Sequence, residues 1–509
     1  MLVLLLALLL ALPVSGYTDR PYYYLSEIKN TTDITYPVAI RQGAKPPKQL
    51  SDGEVEKLVH EAMSLADFDS LLTEDVKTIM LKPNIVEPFE SGSGVITDYR
   101  VVQAAAVYIH ERRPDIKIIV GEGAGGWVPA GYEWGAFPGA KAEDGFAVAG
   151  YRDMVAYLKK KYPDLDIEII DINIPAEDIV EVVPKVPFAD DKYYIHRMVR
   201  DADLLVTIPV LKIIETCQVT LGLKNNVGIA AGVVYGWAKM RGFPYTKNAG
   251  GLRHTYPVID EEIADLVQAR VPDFVIIDGI VGMEQDKTHI RRGIKKQANM
   301  IIAGRDPVAV DAAASRVMML NPRDVEYITL CYYIGLGSLE PIIVGDPLEE
   351  VAERWIKPDT RYSPRGHFGQ GRRIFEVAGD SGEFSEPILF MDTLINPWVL
   401  GDARRYTLRT GFELEETMDL ELWVGSDCSM TVYLDGEPIY RHSGRRKHEL
   451  PNDIVKLANV QAGTHEVEII LGQKGSFSLT IGEGLPRFMA GRDQFDGTTP
   501  LGLKWRWED

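Results

Sequence analysis

The chain has 509 residues, which is too many for one ordinary hydrophobic core, so we expect two or more domains. Its contents of 46% hydrophobic and 25% charged residues are typical of a globular protein. The net charge of −19 argues against nucleic acid and anionic membrane surfaces as main partners, because both require a basic face.

The first sixteen residues, MLVLLLALLLALPVSG, form a short apolar stretch that ends in small residues. This pattern resembles a secretory signal peptide, although no lysine or arginine precedes the apolar run. We therefore predict cleavage near residue 16 and an extracytoplasmic location, either periplasmic or secreted. No later run is long and apolar enough for a membrane helix, so no integral membrane segment is expected after signal removal.

The chain contains three cysteines, Cys217, Cys331 and Cys428, which are widely spaced and form no C-x-x-C motif. No disulfide scaffold, structural zinc site or iron–sulfur cluster is therefore expected. A divalent metal ion held by carboxylates is compatible with the sequence, but no spacing of acidic residues requires one.

Several helices are predicted from capping residues and apolar periodicity. Ser51 and Glu54 form a capping box at the start of the first helix. Thr97 is predicted to cap a helix over residues 99–113, and Asp306 is predicted to cap a later one. The first helix is expected to bury one face, which is formed by Val55, Leu58, Val59 and Met63.

Apolar runs between these helical patterns predict strands. They are VKTIML (76–81), IKIIV (116–120), IEIIDI (167–172), DLLVTIPVL (203–211), FVIIDGI (274–280) and MIIAG (300–304). Strands that are apolar on both faces and separated by helices are typical of a mostly parallel sheet covered on both sides. Residues 76–355 are therefore predicted to form an α/β domain, and residues 17–75 to form an N-terminal segment that leads into it.

The chain changes character after about residue 355. Residues 356–384 are rich in glycine, arginine, serine and proline, which predicts a linker or a long loop. Short strand-like runs separated by turn signals fill residues 385–485, which we predict to form a smaller all-β sandwich of roughly jelly-roll type. Residues 486–509 are expected to be a strand-poor C-terminal tail.

The segment GEGAGG (121–126) matches the G-x-G-x-x-G pattern of dinucleotide-binding proteins. In those proteins the glycines begin a helix, whereas several prolines and glycines follow here between residues 129 and 139. No acidic residue ends a second strand about twenty residues further on, as ribose binding would require. The glycines therefore predict a loop at the end of a strand, with Glu122 inside it, rather than a nicotinamide or flavin site.

Charged residues of both signs follow several of the predicted strands. In open α/β sheets, ligands bind beyond the carboxyl ends of the strands, where side chains from different strands converge. We therefore predict that one edge of the sheet carries a site formed by Lys82, Glu122, Lys212, Asp278 and Asp306.

Two further segments contribute polar residues to this predicted site. The segment TLGLKNNVGIAAG (220–232) contains Lys224 and Asn225, and a lysine beside amide side chains suits a carboxylate or phosphate. Asp311 lies among small apolar residues and, if buried, needs a partner, most simply one of the lysines. His254 is the histidine closest to this set in sequence, and both a structural and a catalytic role are open for it.

Several of these segments together resemble the family called domain of unknown function 362. The resemblance covers roughly residues 76–345 and rests on LKPN (81–84), VGEGAGG (120–126), VTLGLKNNVG (219–228), DGIVGMEQ (278–285) and AGRDPVAVDAAASRVM (303–318). It implies an α/β fold without a settled activity. The cysteines of members with a four-iron cluster are absent here, and Ile214 replaces the histidine that usually follows the lysine corresponding to Lys212.

Two functions fit the sequence. The first is an enzyme that acts on a small anionic substrate, a carboxylate or phosphate. For this function the substrate-binding candidates are Lys82, Asn84, Lys212, Lys224, Asn225 and Asp306, and the catalytic candidates are Asp311, Asp278, Glu122 and His254. The second is a non-catalytic carbohydrate- or surface-binding protein that uses the β-sandwich, where Trp423, Tyr433 and Tyr440 would either stack on a glycan or fill the core.

Overall fold

The computed structural model describes residues 20–30, 35–132, 142–214, 216–237, 239, 251–253, 258–286, 293–357, 371–392, 394–449, 451–482 and 499–508. The predicted signal peptide and His254 lie outside these residues. No helix in the described ranges is long and apolar enough to cross a membrane. The chain divides into an α/β unit (Thr32–Met318 and Leu336–Pro358) and a β unit (Asp19–Thr31, Met319–Gly335 and Asp359–Asp509).

The helices begin at residues with the expected capping chemistry. Ser51 caps the second helix, and its backbone N–H donates to the Glu54 carboxylate at 2.8 Å, so the predicted capping box is confirmed. In chain order the helices are α1 (Leu25–Ile28), α2 (Asp52–Leu65), α3 (Tyr99–Arg112), α4 (Gly145–Val148), α5 (Tyr151–Lys161), α6 (Arg197–Asp201), α7 (Gly232–Tyr235), α8 (Val258–Ala269), α9 (Pro307–Val317), α10 (Glu326–Tyr333) and α11 (Leu348–Val351).

The strands of the first part of the chain are β1 (Tyr22–Tyr24), β2 (Pro37–Gln42), β3 (Thr78–Pro83), β4 (Lys117–Glu122), β5 (Ile167–Asp171), β6 (Ile179–Val182), β7 (Tyr193–His196), β8 (Leu204–Ile208), β9 (Val210–Ile214), β10 (Gln218–Thr220), β11 (Phe274–Asp286), β12 (Ile294–Gly304) and β13 (Ile342–Gly345). Those that follow are β14 (Ile374–Ala378), β15 (Ile388–Phe390), β16 (Tyr406–Leu414), β17 (Met418–Ser426), β18 (Met430–Leu434), β19 (Glu437–His442), β20 (Asp453–Val460), β21 (Gly463–Leu471), β22 (Phe477–Gly482) and β23 (Leu503–Trp505).

The main sheet of the α/β unit is mixed. Among the described residues it has ten strands, in the order β13-β2-β12-β11-β8-β3-β4-β5, with β9 beside β11 and β10 beside β9. Strands β11, β8, β3, β4 and β5 are parallel neighbours, whereas β12 is antiparallel to both β11 and β2. The prediction of a mostly parallel sheet is therefore correct around β3 and wrong around β12, because β12 returns along β11 in the opposite direction.

Both faces of this sheet are covered. Ile79 and Ile118 belong to a core shared with α2 and α3, whereas Met80 and Ile119 belong to a second core shared with Leu266 of α8. Successive side chains of a strand point to opposite faces, so the uniformly apolar strands supply both cores. The expectation of a sheet covered on two sides is met.

The β unit contains two antiparallel sheets in its described part. One has the order β1-β15-β14-β16-β21-β18-β19 with β23 beside β16, and the other has the order β20-β17-β22. A single hydrophobic core includes side chains from both sheets, such as Leu408, Ile469, Leu422 and Leu479. The prediction of an all-β C-terminal region is therefore confirmed, while its finer jelly-roll description stays a prediction.

The β unit uses more of the chain than residues 385–485. Strand β14 lies inside the predicted linker, β1 inside the predicted N-terminal segment, and β23 inside the predicted strand-poor tail. These strands have only five, three and three residues, which is too short for a periodic apolar pattern to reveal them.

A buried ion pair holds the C-terminal segment inside the β unit. Arg372 pairs with Glu508, and both side chains are only 3% exposed. The Tyr333 hydroxyl donates to Glu508 Oε1 at 2.5 Å, and Arg323 Nη2 donates to the Glu508 carbonyl oxygen at 2.9 Å. A fragment limited to residues 385–485 would lack every one of these groups.

We predict that Glu508→Ala destabilises the β unit by about 3–5 kcal/mol, because it leaves a buried guanidinium without its carboxylate. Urea unfolding followed by tryptophan fluorescence of the full chain measures this change. Glu416→Ala, at an exposed turn position, is the matched control and should change the free energy of unfolding by less than about 0.5 kcal/mol. Equal stability of the two variants would contradict the assigned role of Glu508.

Candidate functional site

A buried lysine–glutamate pair lies at the carboxyl ends of two neighbouring strands. Lys82 is near the end of β3, and Glu122 is the last residue of β4, which runs parallel to β3. Lys82 Nζ is 3.1 Å from each Glu122 carboxylate oxygen. The two side chains are 0% and 2% exposed. The predicted convergence of strand ends is therefore observed for these two residues.

The carboxylate of this pair accepts from two backbone N–H groups in addition to the Lys82 ammonium group. Glu122 Oε1 accepts from the Gly123 N–H at 2.7 Å, and Oε2 accepts from the Ile85 N–H at 3.2 Å. Burial lowers the pKa of Lys82, and the attraction of Glu122 offsets this effect only in part. The pair is thus held in a fixed geometry in which the lysine releases its proton more readily than a lysine in water.

Two amide side chains connect this pair to a second lysine. Asn225 Oδ1 accepts from Lys82 Nζ at 3.1 Å, while Asn225 Nδ2 donates to Thr207 Oγ1 at 2.7 Å. Asn84 Nδ2 is 3.4 Å from Asn225 Oδ1, and Lys212 Nζ donates to Asn84 Oδ1 at 3.3 Å. The predicted residues Lys82, Asn84, Glu122, Lys212 and Asn225 therefore form one connected group.

A third lysine, which the sequence reasoning missed, lies next to this group. Lys239 Nζ donates to the carbonyl oxygens of Gly123 and Gly228, the latter at 2.9 Å. Burial lowers the pKa of Lys239 to about 7, against the attraction of Glu122. In the described residues Lys239 follows the short helix α7 (Gly232–Tyr235) rather than a strand, so a search of strand ends could not find it. We call Lys82, Asn84, Glu122, Lys212, Asn225 and Lys239 the lysine network.

The glycines of the GEGAGG segment allow the backbone to approach this network closely. A Cβ atom on Gly123 would clash with the Gly228 carbonyl oxygen, and a Cβ atom on Gly228 would clash with Glu122 and Lys82. Gly126 likewise lies against the backbone of Val86. The prediction of a loop at the end of a strand is confirmed, and its glycines serve close packing of polypeptide on polypeptide.

Asp278 lies within β11 rather than at its end, because that strand continues to Asp286. Its carboxylate accepts from the backbone N–H groups of Asp98, at 2.7 Å, and of Ile280, at 2.9 Å. Burial, with the neighbouring charge of Asp98, raises the pKa of Asp278 to about 7. Asp98, and not Thr97 as predicted, caps α3, because the Thr97 hydroxyl instead donates to the Ile208 carbonyl.

Asp306 does not join the network. It follows the antiparallel strand β12, whose last residue, Gly304, pairs with Val275 near the start of β11. Asp306 therefore lies at the opposite edge of the sheet, and the prediction of convergence is wrong for it. Its carboxylate caps α9 through the Ala309 N–H at 2.9 Å, as predicted, and burial raises its pKa to about 6.

Asp311 is buried, but its partners are backbone groups rather than the predicted lysine. Its two oxygens accept from the N–H groups of Gly222, at 2.7 Å, and Leu223, at 2.9 Å. Burial raises the pKa of Asp311 to about 8, and these two hydrogen bonds offset only part of the shift. Lys224 donates to Thr220 Oγ1 at 3.1 Å and, within the described part of the α/β unit, makes no hydrogen bond to the network.

The carboxylates do not form a recognisable metal site. Within the described residues, no group of three or more histidine, cysteine, aspartate or glutamate side chains is arranged to hold a metal ion. The lysine, glutamate and amide groups of the network can support charge stabilisation, hydrogen bonding and proton transfer.

We predict that Asp311→Ala destabilises the α/β unit by about 1–3 kcal/mol, because the backbone N–H groups of Gly222 and Leu223 would lose their acceptor. Asp153→Ala, at an exposed position of α5, is the control and should change the free energy of unfolding by less than about 1 kcal/mol. Urea unfolding of both variants measures the difference. If Asp311→Ala is as stable as the wild type, the loop that carries Asn225 does not depend on this side chain.

Comparisons with known proteins agree with the sequence motifs. The thylakoid-associated protein of Synechocystis sp. is 24% identical over 162 residues, which are 31% of this chain and 47% of that protein. This chain thus spans about half the length of that curated relative.

Among solved structures, the lactate racemase apoprotein from Thermoanaerobacterium thermosaccharolyticum is similar with a TM-score of 0.31 at 14% identity. The match covers 57% of this chain and 58% of that one. A PA14 sugar-binding domain from an RTX adhesin is similar with a TM-score of 0.15 at 18% identity, over 22% of this chain and 66% of that one. The model of the family "Domain of unknown function (DUF362)" matches residues 79–316. The predicted resemblance to this family is therefore confirmed over residues 79–316.

Proposed function

We propose that the α/β unit is an enzyme that binds a small anionic substrate at the lysine network and acts on it by proton transfer. One observation carries this proposal: three buried lysines lie in one network with a single glutamate, and burial lowers the pKa of one of them, Lys239, to about 7. Perturbed pKa values of this kind are concentrated at functional sites.

The amino groups of the network favour an anion. Lys82, Lys212 and Lys239 bring three buried amino groups into one small region of the α/β unit. Ammonium and amide donors in a fixed arrangement suit the oxygens of a carboxylate or phosphate. The substrate would therefore place its charged group against these donors.

The network is in contact with solvent at its margin. Asn84 and Gly228 are partly exposed, although the lysine side chains beside them are buried. A small ligand that reaches Asn84 is one hydrogen bond away from Lys212 and from Asn225. The margin of the network at Asn84 therefore suits a compact substrate that approaches the lysines with its charged group.

The lowered pKa values of Lys82 and Lys239 support a role for the network in proton transfer. A lysine with a pKa of about 7 is present in both protonation states near neutral pH, so it can accept a proton in one step and return it in another. Glu122 is fixed by Gly123, Ile85 and Lys82, and it keeps the Lys82 amino group in place. Lys239 is thus the proposed general base, while Lys82 and Lys212 stabilise negative charge.

Glycan binding by the β unit has less support. Trp423 is only 2% exposed, and its Nε1 donates to Glu421 Oε2 at 2.8 Å, so its ring belongs to the interior. Tyr433 and Tyr440 are partly exposed. A glycan test of this function requires the full chain, because residues 385–485 alone lack segments of the β unit.

We also propose that the protein acts outside the cytoplasm, on the basis of the apolar residues 1–16. Amino-terminal sequencing of the protein recovered from its host tests this proposal. A mature chain that begins near Tyr17 supports it, and an intact Met1 contradicts it.

We predict that small anions raise the melting temperature of the full chain and that matched neutral molecules do not. Inorganic phosphate and the pair succinate and succinamide are suitable probes, because a ligand of the folded state stabilises it by mass action. Lys212→Met should abolish the effect. Lys117→Met, at the opposite end of β4 from Glu122, is the control and should preserve it. Stabilisation by succinamide, or retention of the anion effect in Lys212→Met, contradicts the proposed site.

We predict a pH-dependent stability difference between the wild type and Lys239→Met. The pKa of Lys239 is about 7 in the folded chain and near 10.5 when unfolded, so between these values the unfolded chain binds more protons. The stability of the wild type should therefore gain about 1–3 kcal/mol, relative to the variant, between about pH 6 and about pH 9. Urea unfolding at both pH values measures this gain, and the other titrating groups cancel in the comparison. Parallel profiles would contradict the lowered lysine pKa.

A further inference from the structure

Lys239 differs from Lys82 in its partners. Lys82 Nζ is 3.1 Å from both carboxylate oxygens of Glu122, whereas Lys239 forms no ion pair with any residue in the described ranges. Lys239 Nζ donates instead to two backbone carbonyl oxygens, those of Gly123 and Gly228. The side chain is only 5% exposed, and a buried ammonium group without a carboxylate partner is costly. This environment therefore favours the neutral amine.

The two carbonyl oxygens match the donors of a neutral amine. An ammonium group has three N–H donors, whereas a neutral amine has two N–H donors and one lone pair. The Gly123 and Gly228 carbonyls accept both N–H groups of the neutral form, so the lone pair takes the remaining position around Lys239 Nζ. Burial supports the same form, since it lowers the pKa of Lys239 to about 7. The amine thus presents its lone pair in a fixed direction.

The backbone holds this amine in an unusual conformation. Lys239 has a φ of 50°, in the left-handed region that residues other than glycine rarely adopt. Such conformations persist where the surrounding structure imposes them, and they are concentrated at functional sites. Gly228, whose carbonyl oxygen binds the amine, is partly exposed. The amine therefore lies next to the part of the network that is in contact with solvent.

A fixed lone pair on a neutral lysine is a nucleophile as well as a base. We infer that Lys239 attacks the carbonyl carbon of a small oxo acid and forms an imine with it, while the other lysines of the network hold the acid group. This inference rests on the function proposed above and names its substrate class. The anionic group is the one that function requires, and a carbonyl carbon is what an amine nucleophile attacks.

The step balances without any other reagent. The Nζ lone pair forms a bond to the carbonyl carbon, and the π electrons of the C=O bond move to the oxygen. The two N–H protons of the amine are transferred to that oxygen. The C–O bond then breaks, water leaves, and a C=N bond remains. Neither oxidation nor reduction takes place.

A carboxylate suited to these proton transfers ends the neighbouring strand. Asp171 is the last residue of β5 and pairs in register with Glu122, the last residue of β4, so both lie at the same edge of the sheet. Asp171 is partly exposed, and its charge acts on Lys239. The Asn173 N–H donates to Asp171 Oδ1 at 3.0 Å and fixes the carboxylate. Asp171 is therefore placed to carry protons between the amine and the departing oxygen.

Reductive trapping on the full chain tests the inference. Cyanoborohydride converts an imine into a stable secondary amine, which peptide mapping by mass spectrometry locates. The probe is 2-oxobutyrate, and butanone, in which a methyl group replaces the carboxylate, is its neutral match. We expect 2-oxobutyrate to label Lys239 at least about tenfold more than butanone does and more than it labels the exposed Lys159, because bound substrate has a high effective concentration. No label on Lys239, equal labelling by butanone, or a label on Lys82 instead overturns the inference.

The melting temperature separates this inference from the proposed function. Measured with 2-oxobutyrate and without cyanoborohydride, it reports ligand binding rather than trapping. Stabilisation without a label on Lys239 leaves the proposed function standing and overturns only the imine. Neither stabilisation nor a label contradicts both.

Three variants test the assigned roles. Lys212→Met should reduce labelling of Lys239 at least about tenfold by removing a group that holds the carboxylate, whereas Lys117→Met should label like the wild type. Asp171→Asn should slow the labelling several-fold, and Asp171→Glu should restore part of the rate. Wild-type labelling in Lys212→Met overturns the assigned site of the acid group, and a wild-type rate in Asp171→Asn overturns the role of Asp171.

Discussion

The α/β unit depends on one constraint: a lysine and a glutamate are buried together where two parallel strands end. The register that pairs Leu81 with Val120 fixes which residues of β3 and β4 meet beyond the sheet. Neither charge is tolerable there alone, since a buried ion pair that loses one partner costs about 3–5 kcal/mol. The surrounding chain is therefore arranged to satisfy both Lys82 and Glu122, with backbone N–H groups for the carboxylate and an amide oxygen for the ammonium group.

This requirement explains how distant segments cooperate. Asp311 in α9 holds the backbone of Gly222 and Leu223, which begins the turn that presents Asn225 to Lys82. The segments LGLKNN and DPVAVD, which carry much of the resemblance to the DUF362 family, are thus joined in space by hydrogen bonds. Asp311 thus holds this loop by hydrogen bonds, while its catalytic role stays a prediction. An aspartate among small apolar residues is a candidate for catalysis or for structural pairing, because in either role a buried aspartate needs a partner. Backbone N–H groups meet that need as well as a lysine would.

The sequence was sufficient to predict the parts of this site that depend on local pattern. It was not sufficient where strand direction or tertiary contacts determine the position of a residue. Lys82, Glu122 and Lys212 follow apolar runs, and the rule of converging strand ends found them. The same rule misplaced Asp306, because apolar content does not reveal that β12 is antiparallel. Lys239 lies after helix α7 rather than after a described strand, so the rule of converging strand ends does not apply to it. Its pKa is lowered by burial, which the sequence alone does not reveal. In the β unit, strands β1 and β23 were not predicted, because three residues are too few to show a periodic pattern of apolar residues.

The charge distribution bears on how such a site would select its ligand. The chain carries a net charge of −19, whereas the lysine network is a local concentration of positive groups within it. At physiological ionic strength, charges more than about 8 Å away are largely screened, so the short-range surroundings decide affinity. Buried lysines have lost part of their hydration, so a ligand with a compact charge gives them the largest gain in interaction energy. The cost of desolvating that ligand is offset when several donors bind it at once. If the network binds an anion as proposed, one small carboxylate or phosphate would suit it better than an extended polyanion, which the net negative charge of the chain would repel.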